Sequence, residues 1–155
     1  IVSEYQLYES VIAGANAILL IVAALNREEL ETLMRRALAL DLAVLTEIHN
    51  ERELYAALDS HATVIGINNR NLRTLDVDLE ASARLIKQIP EEVIAVAESG
   101  LTTSTDLVSL RQVGFDAYLI GESLLKRPNP GEALKHLLSG VDAGEPRGQR
   151  SRDTE

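Results

Sequence analysis

The stretch Gly66-Ile67-Asn68-Asn69-Arg70-Asn71-Leu72 closes an apolar run, Val64-Ile65-Gly66-Ile67, with two amides and a guanidinium. A strand that ends this way presents polar groups to something. Asn68 both donates and accepts hydrogen bonds, and Arg70 offers a rigid fork to a carboxylate or phosphate. The same change from apolar to polar recurs at Leu45-Thr46-Glu47, at Val96-Ala97-Glu98-Ser99-Gly100 and at Leu119-Ile120-Gly121-Glu122. Four such endings predict a ligand site at the carboxyl ends of a parallel sheet.

Working outward, five runs rich in Val, Ile and Leu read as strands: Ala17–Val22, Ala43–Ile48, Thr63–Asn68, Val93–Glu98 and Ala117–Glu122. They barely alternate with polar residues, as strands covered on both faces do. Helical patterns lie between them. Asn26 with Glu29, Asn50 with Glu53, and Thr103 with Asp106 each have the spacing of a capping box. Leu30, Leu33, Met34, Ala37 and Leu38 form one apolar stripe. Ser3 is expected to cap a first helix with Leu7 and Val11 inward, and Asp78 a helix that Pro90 stops. Gly114 suits a helix exit, and Asn129-Pro130 a helix entry that ends at Gly140. Strands alternating with helices give a parallel sheet with right-handed crossovers. Residues 1–140 thus form an α/β domain, and 141–155 read as a disordered polar tail. A doubly wound sheet and part of a (β/α)8 barrel both fit. Polar groups after four separate strands favour the barrel, since a doubly wound sheet concentrates its site at one switch point.

Composition narrows the function classes. The 155 residues carry a formal charge of −9, which opposes a phosphate backbone and argues against nucleic acid. Aromatics are only 3%, so the core is aliphatic. The chain has no cysteine, which rules out disulfides and thiolate metal sites and fits a cytoplasmic setting. No apolar run nears the ~20 residues of a membrane span.

Several side chains are candidates for chemistry. Glu47 at a strand end with apolar neighbours suits a general base, or it is an ordinary loop carboxylate. Glu98-Ser99-Gly100 offers a carboxylate, a hydroxyl and close backbone approach, or it is only a tight turn into the next helix. Gly100 and Gly121 together can offer N–H groups to a phosphate. Arg70 either pairs with a substrate anion or forms a surface ion pair with Asp76 or Asp78. His49, His61 and His136 lack metal-ligand spacing. His49 lies within reach of the site but is read as facing solvent.

Taken together, Val44-Leu45-Thr46-Glu47, Ile65-Gly66-Ile67-Asn68-Asn69-Arg70-Asn71-Leu72, Ala97-Glu98-Ser99-Gly100-Leu101 and Leu119-Ile120-Gly121-Glu122-Ser123-Leu124-Leu125 resemble indole-3-glycerol phosphate synthase of tryptophan biosynthesis. So do Glu4-Tyr5-Gln6-Leu7-Tyr8 and Ala17-Ile18-Leu19-Leu20-Ile21, in the same order. The resemblance implies a (β/α)8 TIM barrel, of which this chain is the C-terminal portion from the end of the third strand onward. It implies a carboxy-lyase that closes the ring of a carboxyphenylamino-deoxyribulose 5-phosphate, with no metal or organic cofactor. Glu47 is then the general base, with Asn68 and Glu98 as catalytic partners. Arg70 and Ser99 bind substrate, and Gly100, Gly121 and Glu122 bind its phosphate. The family's lysines on its first and third strands have no counterpart here, so the chain alone is expected to be inactive. Open sheet edges and an uncovered apolar face lead us to expect self-association or pairing with the missing N-terminal half. A domain that binds a phosphorylated ligand or itself, without catalysis, is the alternative.

Overall fold

Helix starts in this chain are set by side chains that take up unpaired N–H groups. In the computed structural model, Asn26 Oδ1 accepts from Glu29 N at 3.0 Å while Glu29 Oε2 accepts from Asn26 N at 2.8 Å. Thr103 and Asp106 form the same reciprocal pair. Asn129 Oδ1 accepts from Glu132 N, with Pro130 at the first helical position. Gly114 ends its helix at φ 116°, a left-handed conformation that glycine adopts at little cost.

The structure describes residues 1–70, 79–139 and 141, with side chains omitted for 79–81. The cap expected at Asp78, the exit at Gly140 and nearly all of the tail lie outside them. The elements alternate: α1 (Glu4–Ile12), β1 (Ala17–Ile21), α2 (Arg27–Ala39), β2 (Ala43–Ile48), α3 (Glu51–Asp59), β3 (Val64–Asn68), α4 (Leu79–Leu85), β4 (Ile94–Glu98), α5 (Ser104–Val113), β5 (Ala117–Leu119), α6 (Glu122–Leu125) and α7 (Pro130–Leu138). The strands form one parallel sheet in the order β1-β2-β3-β4-β5. Two compact units divide the chain within β3, the first ending at Gly66 and the second starting at Ile67.

In the first unit, β1 and β2 pair in register from Ala17 opposite Ala43 to Ile21 opposite Glu47. Its core holds Leu7, Leu20, Leu30, Ala37, Ile48, Leu54, Ala57 and Ile65, none more than 1% exposed. In the second unit, β4 and β5 pair from Val96 opposite Ala117 to Glu98 opposite Leu119. Phe115, the chain's sole phenylalanine, is fully buried there with Ile86, Ala95, Ala97 and Leu107. β4 is buried at four of its five positions, as a strand covered on both faces should be.

Several expectations need correction. The last strand stops at Leu119 rather than Glu122, because Gly121 begins the short helix α6. Val22 leaves β1 for a 3-10 turn. Ser3 stands at the start of α1 but makes no side-chain cap; the Gln6 side-chain Oε1 takes the Val2 N–H instead, at 2.7 Å. Val11 and Leu38 are exposed, so the apolar stripes of α1 and α2 are narrower than their sequences suggest. Asn50 accepts from Glu53 N, yet the Glu53 carboxylate returns to the N–H of His49 rather than that of Asn50.

Candidate functional site

Glu47 lies in the first unit, one residue from the end of β2. It is 5% exposed, between Thr46 and Ile48, both fully buried. Its Oε1 is 3.2 Å from Nε2 of His49. That contact is close enough for an ion pair but lies off the line a hydrogen bond needs, and Nε2 is sealed from solvent. His49 Nδ1 sits 3.2 Å from Glu53 Oε2, and the same oxygen accepts His49 N at 2.8 Å. The solvent-facing reading of His49 is therefore overturned: its side chain is 14% exposed and held between two carboxylates. Two sequence signals pointed this way. Residues i and i+2 on an extended strand share a face, and Glu53 stands four residues after His49 at a helix start.

The other expected site residues belong to the second unit. Asn68 ends β3, and its Oδ1 accepts the N–H of Arg70 at 2.9 Å, a local turn that steers the chain out of the strand. The Arg70 guanidinium reaches Glu122 Oε2 at 2.8 Å. Glu122 Oε1 also takes Lys126 Nζ at 2.6 Å. The hydrogen bond and charge of Lys126, with the charge of Arg70 behind them, hold the Glu122 carboxyl below its ordinary range. Gly121 precedes α6 with no side-chain cap, and a Cβ built on it would meet nothing within 4 Å. The space in front of this helix start is open.

Glu98 is the last residue of β4 and is 3% exposed. Ser99 and Gly100 follow in consecutive left-handed conformations, φ 64° and 74°. Asn69 fixes this turn. Its Nδ2 donates to the carbonyls of Glu98 at 2.7 Å and Ser99 at 3.0 Å, its backbone N–H donates to Glu98 O, and its Oδ1 accepts from Ser82 Oγ. Sequence reasoning pointed both Asn68 and Asn69 at a ligand. The structure buries Asn69 at 4% exposure as a brace.

Among the described residues, no group of three or more His, Cys, Asp or Glu is arranged to hold a metal ion, the Glu47–His49–Glu53 trio included. None of the described helices is long and apolar enough to cross a membrane. The acid–base groups on hand are thus carboxylates and an imidazole in the first unit. The second unit offers a carboxylate, a guanidinium and, at Gly121, a helix start without a side-chain cap.

A family model for indole-3-glycerol phosphate synthase matches residues 1–137. The chain is 44% identical over 138 residues to the indole-3-glycerol phosphate synthase of Polaromonas naphthalenivorans (strain CJ2), covering 89% of the chain and 52% of that protein. It is 45% identical over 141 residues to that of Bacteroides thetaiotaomicron, covering 91% and 54%. The chain spans about half the length of the curated relatives it matches. Among solved structures it resembles a mandelate oxidase mutant, with TM-score 0.71, 19% identity, and coverage of 94% of this chain and 55% of that one. It also resembles a structure described as native KDPGal, with TM-score 0.66, 18% identity, and coverage of 92% and 65%. These neighbours are TIM-barrel-like, and at such identities the likeness shows the α/β fold alone.

Proposed function

Because the chain belongs to the indole-3-glycerol phosphate synthase family, we propose that it supplies the general base and the substrate- and phosphate-binding part of that enzyme's active site. The observation that carries this reading is Glu47: a carboxylate 5% exposed near the end of β2, in a chain matching the family over residues 1–137. A carboxylate held among fully buried neighbours is positioned by the fold and not by water, as a general base requires.

In the ring closure, a carbon–carbon bond forms between the aromatic ring and the substrate carbonyl, carbon dioxide leaves, and water is then lost. Proton removal falls to Glu47, with Asn68 and Glu98 contacting the reacting groups. Arg70 and Ser99 orient the substrate. The N–H groups of Gly100, Gly121 and Glu122 receive the phosphate, a reading supported by the open space beside Gly121 at the start of α6. The carbonyl oxygen needs a proton donor. Lys126 and Lys135 are ion-paired to Glu122 and Glu132, and Lys87 lies in the 3-10 turn after α4. None is placed at a strand end, so no lysine of this chain is assigned as the acid. The substrate is soluble and phosphorylated, which fits a cytoplasmic setting.

The test is turnover. The chain alone should give no indole-3-glycerol phosphate, by product fluorescence. Mixed with a polypeptide carrying the remaining length of a family member, it should give product, and Glu47→Gln should abolish it. Undiminished turnover by Glu47→Gln in that mixture refutes the assignment. A second reading, a self-associating domain without catalysis, is favoured by Tyr5 (71% exposed) and Ile12 (86%) on α1. It requires a concentration-dependent oligomer by sedimentation and no product with the added polypeptide.

A further inference from the structure

We infer that His49 and Glu53 are positioning residues for Glu47: Glu53 holds the imidazole through Nδ1, and the imidazole, packed with Nε2 3.2 Å from Oε1, confines the Glu47 carboxylate. The inference rests on the reading of Glu47 as the base and deepens it. Three ionisable side chains from seven consecutive residues meet in this order, Glu47 Oε1 to Nε2 at 3.2 Å and Nδ1 to Glu53 Oε2 at 3.2 Å. All are largely buried, with side-chain exposures of 6%, 14% and 16%.

Glu53 is itself immobilised. Its Oε2 accepts His49 N at 2.8 Å and its Oε1 accepts Asn50 Nδ2 at 2.6 Å. Its backbone N–H is held by Asn50 Oδ1. The helix start therefore fixes the carboxylate, and an acceptor fixed at Nδ1 selects the ring form with a proton on Nδ1. This is the logic by which a buried carboxylate orients a catalytic histidine. The consequence appears at the other nitrogen. Nε2 is sealed from water and faces Glu47 Oε1. A ring held at Nδ1 keeps Nε2 packed against the Glu47 carboxylate at 3.2 Å and limits where that carboxylate can turn.

A helix cap alone would need only the oxygens of Glu53, so the test removes its charge and keeps them. In a 15N- and 13C-labelled chain, His49 Nδ1 should carry a proton. The exposed His61 and His136 serve as controls. In Glu53→Gln, with helix content unchanged by circular dichroism, the Glu47 side-chain carboxyl 13C resonance should move, since the imidazole transmits the change. A bare Nδ1 in the parent chain overturns the inference without any variant. An unmoved Glu47 resonance in Glu53→Gln also overturns it, leaving Glu53 as a cap only. Failure of the base assignment is distinct: Glu47→Gln then turns over normally in the mixture, while the ring protonation and the resonance shift persist.

Discussion

Arg70 and Glu122, 52 residues apart in sequence, meet at 2.8 Å and tie the exit of β3 to the start of α6. The contact joins an expected substrate-binding residue to an expected phosphate-binding one. It also occupies the guanidinium with a carboxylate that Lys126 already holds. Under the proposed function, a substrate anion at Arg70 would compete with Glu122, a partner whose charge Lys126 also meets.

Arg70→Ala should therefore leave thermal stability nearly unchanged, because the pair is partly exposed and such pairs contribute little. Affinity for the phosphorylated product in the reconstituted enzyme should fall roughly tenfold, the weight of one charge-assisted hydrogen bond. Calorimetry and product titration read the two effects separately. A large drop in melting temperature with unchanged affinity would reverse the assignment.

Asn69→Ala should be costly for the opposite reason. Its side chain makes two buried hydrogen bonds, to Glu98 O and Ser82 Oγ, and a part-buried one to Ser99 O. Truncation strips Ser82 Oγ and Ser99 O of this partner and leaves Glu98 O only the Asn69 backbone N–H, at about 2–4 kcal/mol in all. Urea denaturation measures it, and a loss below about 0.5 kcal/mol would contradict the brace.

Gly100→Ala should cost about 1–2 kcal/mol, since φ 74° forces a Cβ into the left-handed region. Ser99→Gly, at φ 64°, relieves the same strain and should be close to neutral, because added freedom in the unfolded chain offsets the relief. The two substitutions thus have unequal effects at adjacent positions, readable from the same denaturation curves.

Asp106 gives a pH dependence. Burial pushes its carboxyl up, but the N–H groups of Thr102 and Thr103 together outweigh this and hold it below its ordinary value of 3.8. A folded value under the unfolded one means the stabilisation is present above the unfolded value and is lost as pH falls through the folded one. Asp106→Asn should therefore lower stability near neutral pH, and its gap from the parent should close below about pH 4. Melting temperatures from pH 7 down to about 3 test this, and a constant gap would exclude the carboxylate as the cause.

Much of the frame was legible because its signals are local. The apolar runs located all five strands, and Asn26–Glu29, Thr103–Asp106 and Gly114 marked helix ends where the structure has them. What escaped depended on direction in space. Spacing put His49 near Glu47 but could not say that the ring turns inward, because that turn is set by Glu53 reaching back from α3. The Asn68-Asn69 pair reads as two equal amides. Only the neighbouring turn after β4, 29 residues on, makes Asn69 internal. Val11 and Leu38 fit a helical stripe on paper, yet they fall at its margin, beyond the buried face.

The unequal fates of these twin amides bear on how the protein can be dissected. Substitutions at position 69 will be caught by any screen for folded yield, whatever chemistry is being followed. Those at position 68, whose oxygen accepts the Arg70 N–H at the exit of β3, bear on the proposed catalytic role and are read by counting product. Two genetic selections run side by side would pull the asparagines apart.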